Sequence, residues 1–107
     1  MITIIAEQML DLSNSDQKVP VRIFIPEQID QNTWNCRFEI GEPISESMDT
    51  HGVSSLQALA LAVKNVSAAL YSTDLYRDGY LGAFGDFGDY LGIPAPSSYR
   101  HITPHTF

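Results

Sequence analysis

Between Thr33 and Ile40 the chain reads TWNCRFEI. In an extended strand Trp34, Cys36, Phe38 and Ile40 share one side, and Asn35, Arg37 and Glu39 share the other. A pairing slip of one residue would turn all four apolar groups into water, so the register is tightly specified. The same period of two runs through VPVRIFIPE, with Val19, Val21, Ile23 and Ile25 inward and Arg22 and Phe24 opposite. Pro26 lacks an amide hydrogen and is expected to end that strand. The β-branched start of MITIIAEQMLDL predicts a first strand over 2–10, and the alternating runs predict strands over 19–26 and 33–40. ISESMDT supplies a fourth candidate over 44–50, with Ile44 and Met48 inward.

The period then changes. Ser54-Ser-Leu-Gln57 fits a capping box, in which the serine hydroxyl takes the Gln57 amide and the glutamine side chain reaches back. The alanine- and leucine-rich run that follows predicts a helix over 54–72. Leu56, Leu59, Ala60, Val63, Val66 and Leu70 trace its apolar stripe, widened by Ala58, Leu61, Ala62 and Ala69. Strands followed by one long helix predict an α+β fold: an antiparallel meander of three or four strands with the helix across its apolar face. A chain of 107 residues fits one domain.

Residues 73–107 hold five of the seven glycines and seven of the eleven aromatics. Disordered tails are poor in aromatics, so this segment is expected to pack as an irregular cover on the sheet. Within it, YLGAFGDFGDYLG raises two functional readings. Glycine amides could grip an anion, but no lysine follows a glycine as a phosphate-binding loop requires, and Asp86 and Asp89 would repel phosphate. Those two aspartates could instead contribute to a calcium site, which needs about 6–8 oxygen ligands. The better reading has the glycines making sharp turns while Phe84, Phe87 and Leu91 are buried.

His101 and His105 stand four apart, but Pro104 between them disfavours a helix and no further ligand pair is near, so a polar tail is expected. His51 is remote in sequence from both. Cys36 alternates with Trp34 and Phe38 and reads as a core residue rather than a nucleophile. Its being the sole cysteine excludes an internal disulfide and fits a reducing compartment. No triad order, paired-carboxylate motif or dinucleotide fingerprint stands out, and neither a cofactor nor a metal is expected. The outer face of the central strands carries Arg22, Asn35, Arg37 and Glu39, with Phe24 on the same side as Arg22. This set reads either as a solvated face with cross-strand ion pairs or as a binding face with Phe24 as its apolar anchor.

Thirteen acidic residues stand against six basic ones, for a formal net charge of −7. Such a field disfavours nucleic-acid binding and suits a basic partner. No run has the length of a transmembrane helix and MITIIAEQML lacks a basic start, so a cytoplasmic protein without membrane attachment is expected.

W-x-C-x-F-x-I (Trp34 to Ile40), G-V-S-S-L-Q-A-L (Gly52 to Leu59) and L-G-I-P-A-P (Leu91 to Pro96) together resemble a group of small bacterial proteins classed as domains of unknown function. The resemblance spans roughly residues 19–96 and implies a bacterial source. It carries no catalytic residue with it. The function expected is a non-enzymatic binding or protein-interaction module, an antitoxin- or immunity-like partner of a basic protein by analogy of charge and size. Its binding residues would be Arg22, Phe24, Arg37, Glu39, Asp86 and Asp89. The alternative is a small-ligand-binding protein or enzyme with a pocket between the sheet and the C-terminal segment. Self-association through an open sheet edge is a third expectation.

Overall fold

The computed structural model of the chain describes residues 3–96. The histidine pair His101 and His105 lies outside these residues. The fold is α+β: a seven-stranded antiparallel sheet with one long helix packed against it. In chain order the elements are β1 (Ile4–Leu12), β2 (Lys18–Phe24), β3 (Glu27–Asp30), β4 (Thr33–Ile40), β5 (Glu46–Gly52), α1 (Ser55–Tyr71), α2 (Asp74–Arg77), β6 (Leu81–Ala83) and β7 (Asp86–Phe87). Two compact units divide the described chain. The first holds the residues up to Gln8 with Pro20–Val66, and the second holds Met9–Val19 with the residues from Ser67 onward.

In the first unit β4 is the central strand. One of its edges pairs with β5 along its whole length, from Trp34 opposite Gly52 to Ile40 opposite Glu46. Its other edge is shared by β2, with Ile23 opposite Phe38, and β3, with Glu27 opposite Asn35. From Ile23 to Glu27 is four residues, whereas from Phe38 to Asn35 is three, so one residue bulges out beside Pro26. Pro26 therefore interrupts the strand, as expected, but pairing resumes beyond it in β3. The bulge also breaks the alternation. Ile23 and Phe24 are both buried, and Ile25, expected inward, is 43% exposed. On the outer flank the Ile25 amide donates to the Thr3 carbonyl at 2.7 Å.

Cys36, Phe38 and Ile40 are buried as their alternation requires, and Trp34 at the strand start is half-buried. Met48 shares a face with its cross-strand partner Phe38 yet is exposed, because β5 has a neighbour on one side only. The helix begins where the capping sequence places it. The Gln57 amide donates to the Ser54 hydroxyl at 3.0 Å, and the Gln57 side chain accepts from the Val53 amide at 2.7 Å. The reach-back thus ends one residue earlier than in a standard box.

The buried seam of α1 differs from the expected stripe. It runs through Ala58, Ala62, Val66, Ser67, Leu70 and Tyr71, whereas Leu56 is 73% exposed and Ala60 is exposed. Close approach selects the small residues. In the first unit the Thr50 hydroxyl lies 2.9 Å from the carbonyls of both Cys36 in β4 and Ala58 in α1. A Cβ on Gly52 would fall 2.6 Å from the Ala58 nitrogen. A leucine facing this part of the sheet would not fit.

The second unit replaces the expected irregular tail with a short helix, a hairpin and a strapped segment. Asp11 and Leu12 of β1 pair with Gly82 and Leu81 of β6, and β6 pairs with β7. Thr73 caps α2 by accepting from the Tyr76 amide at 3.1 Å. Residues beyond β7 are tied to α1 by two hydroxyls one helical turn apart. Tyr71 accepts from the Leu91 amide at 2.9 Å and donates to the Ile93 carbonyl at 2.8 Å, and Ser67 donates to the Pro94 carbonyl. Leu91 and Ala95 are fully buried. Phe84 and Phe87, expected in the core, are not: they are 84% and 41% exposed.

Candidate functional site

The polar face of the first unit is a ladder of charge. Glu7 of β1 pairs with Arg22 of β2 at 2.5 Å. Arg22 stands opposite Glu39 of β4 in the register. Glu39 accepts from Arg37 on the same strand at 3.2 Å, and Arg37 lies 3.6 Å from Asp49 of β5. Asn35 adds a bond to Asp49 at 3.4 Å. This arrangement follows from strand alternation, since every member is an outward residue of its strand. The side chains are about two-fifths exposed, so each pair contributes no more than about 1 kcal/mol. Chemically, the ladder neutralises both arginines: two cations meet three carboxylates, which weakens their pull on an anionic ligand.

Phe24 does not stand among these arginines. The bulge turns it inward, and its carbonyl accepts the Cys36 thiol at 3.4 Å. Burial pushes the Cys36 thiol above its ordinary value, which disfavours the reactive thiolate. Asp86 and Asp89 lie in the second unit, exposed on and just after β7. The six candidate binding residues therefore do not form one cluster within either unit. No group of three or more potential metal ligands occurs among the described residues.

Clefts indent both units among the described residues. Two in the first unit measure about 190 Å³, beside Arg22, Glu39 and Gly41, and about 150 Å³, beside Phe24, Arg37 and Asp49. Both fall below the roughly 300–1,000 Å³ usual for small-ligand sites. One in the second unit reaches about 470 Å³, lined by Asp11, Asn14, Asp16, Lys18 and Phe87. Its wall is polar, and Lys18 and Asp11 are held in an ion pair with each other. The Lys18 ammonium keeps the Asp11 carboxyl below the usual carboxylate range, aided by the Gly85 amide against an opposing effect of partial burial.

The feature that sequence reasoning missed is the tip of the β6–β7 hairpin. Its two loop residues, Phe84 and Gly85, have φ of 55° and 88°. Positive φ at both positions is the sign pattern of a type I′ hairpin turn, which favours Asn-Gly and is rare for an aromatic residue. Gly82 lies beneath Phe87, since a Cβ there would be 2.7 Å from the Phe87 ring. The signal was present: a glycine and an aspartate follow Phe84 at the spacing of a two-residue turn. It was outweighed by the general tendency of phenylalanine to be buried.

Among the described residues no helix is long and apolar enough to cross a membrane. The chain matches no curated protein and no solved structure. A family model does match residues 6–95, a span that includes the ladder, the long helix, the hairpin and the strapped segment. The chain belongs to the family described as domain of unknown function DUF6968.

Proposed function

We propose that this protein is a non-enzymatic interaction module that binds a basic protein partner, in the manner of an antitoxin or immunity protein. The observation that carries this reading is the imbalance of engaged and free charge. Among the described residues Lys18, Arg22, Arg37 and Arg77 are all held in ion pairs within the chain, and Lys64 is also engaged. Asp16, Glu27, Asp86 and Asp89 are exposed and enter no ion pair among the described residues. The excess of negative charge therefore faces solvent, where it steers and holds a cationic surface.

Affinity capture from cells that naturally make the protein tests this. The expected result is a single enriched protein with a basic surface, retained at low ionic strength and released as salt rises, because exposed charges are screened beyond about 10 Å at 0.1 M salt. Recovery of a neutral or acidic partner with salt-insensitive binding would contradict it.

A further inference from the structure

We infer that Phe84, displayed at the tip of the β6–β7 hairpin, is the anchor by which this protein engages an arginine- or lysine-bearing segment of its partner. The inference deepens the proposed function and rests on it. Phe84 is 84% exposed, the most exposed of the large hydrophobic residues described. It also sits at φ 55°, a region that costs an L-residue with a bulky side chain about 1–2 kcal/mol. The fold gains little from it in return, since so exposed a ring contributes little to the core. Asparagine would serve the turn better, because Asn-Gly is the favoured pair for such a loop. A residue that is both strained and exposed needs a reason outside the folding of the chain.

The surroundings define the partner's chemistry. Residues 78–90 read DGYLGAFGDFGDY and contain no cation; Asp78 lies 4.0 Å from Arg77, which leaves Asp86 and Asp89 exposed and outside any ion pair among the described residues. Asp86 follows the turn directly and is exposed. Lys18, which shares a cleft with Phe87, is held by Asp11, and Arg77 is held by Asp74. An exposed aromatic ring with an exposed carboxylate two residues away in the chain, at Asp86, suits a guanidinium or ammonium, which can stack on the ring while its N–H groups meet the acid. Tyr80 and Phe87, 50% and 41% exposed, add apolar area to the same hairpin. A second copy of this chain is a poor occupant, because the hairpin would meet like charge and the cations described are already engaged.

The test has two arms. In the first, Phe84→Asn is expected to melt a few degrees higher than the wild type in a thermal scan, since the turn strain is relieved. A lower melting temperature would make Phe84 a structural residue and overturn the inference. In the second, p-benzoylphenylalanine replaces Phe84 in the full chain, in cells that naturally make it, with Val53 as the exposed control position. Irradiation is expected to give an adduct at position 84 and none at 53. The adduct should map to a partner peptide containing arginine or lysine, and its yield should fall about tenfold on Asp86→Asn, as for the loss of one charge-assisted contact. No adduct at 84, an adduct with a second copy, or a peptide without basic residues would overturn the inference. A basic partner that still binds Phe84→Asn with full affinity would remove the anchor and leave the proposed function standing. Absence of any basic partner would remove both.

Discussion

The phenol oxygen of Tyr71 accepts the amide hydrogen of Leu91 at 2.9 Å, joining the last turn of α1 to the segment after β7. The same hydroxyl donates to Ile93, and burial raises the phenol above its ordinary value. One side chain thus satisfies two backbone groups of a segment that lies outside helix and ladder. Tyr71 also packs edge-on against Tyr76, with ring centroids 4.8 Å apart. Tyr71→Phe keeps the ring and removes one hydrogen bond from each of the two backbone groups. It is expected to cost about 1–3 kcal/mol in urea denaturation. A loss confined to a few tenths of a kcal/mol would show that solvent replaces the hydroxyl.

Gly52 is required by space and Gly79 by conformation. A Cβ on Gly52 would press on the backbone nitrogen of Ala58 at 2.6 Å, and the helix start would have to move. Gly52→Ala is expected to destabilise by about 1–3 kcal/mol, as overpacking does. At Gly79 nothing lies within 4 Å, but φ is +81°, so Gly79→Ala is expected to lose about 1–2 kcal/mol through backbone strain alone. Hydrogen exchange separates the two mechanisms. Only Gly52→Ala should weaken protection in the first turns of α1.

Phe38 and Arg37 are adjacent in sequence and opposite in setting. Phe38 is fully buried, whereas the Arg37 side chain is 38% exposed within the charge ladder. Phe38→Ala is expected to cost about 3–5 kcal/mol in chemical denaturation, and Arg37→Ala about 1 kcal/mol or less. Equal losses would reverse the assignment of faces.

Asp11 links acid stability to the hairpin. Its carboxylate pairs with Lys18 and lies 3.4 Å from the Gly85 amide at the turn. Because its native pKa is lowered, the charged form favours the fold. Its stabilisation is fully present above the unfolded value, about 3.9, and is lost as pH falls through the lower native value. The stability difference between wild type and Asp11→Asn is therefore expected to stay level from about pH 8 to pH 5 and to close below about pH 4. Urea midpoints across that range measure it. A gap that widens in acid would reverse the sign of the linkage.

Much of the fold was legible because its signals are local. The alternation from Trp34 to Ile40 identified the central strand and its inner face, and the run from Ser54 identified the helix to within a residue at each end. The ion-pair reading of Arg22, Arg37 and Glu39 followed from the same alternation. Three things were not legible. An alanine-leucine helix is apolar on most sides, so its pattern alone does not choose between the Leu56 and Ala58 faces. The bulge beside Pro26 inverts the sides of Phe24 and Ile25, and a period of two cannot foresee an inserted residue. The exposure of Phe84 depends on a hairpin whose β6 strand pairs with β1, some seventy residues earlier in the chain.

Element type and order were therefore written in periodicity, capping and composition, because each depends on neighbours within a few residues. The choice of buried helix face, the inward turn of Phe24, the capture of Leu91 by Tyr71 and the display of Phe84 were settled by tertiary packing. Each depends on which strand or helix comes alongside, as where Asp11 of β1 meets Gly82 of β6 or where the Thr50 hydroxyl meets the Cys36 carbonyl of β4, and no residue's own sequence neighbours specify that partner.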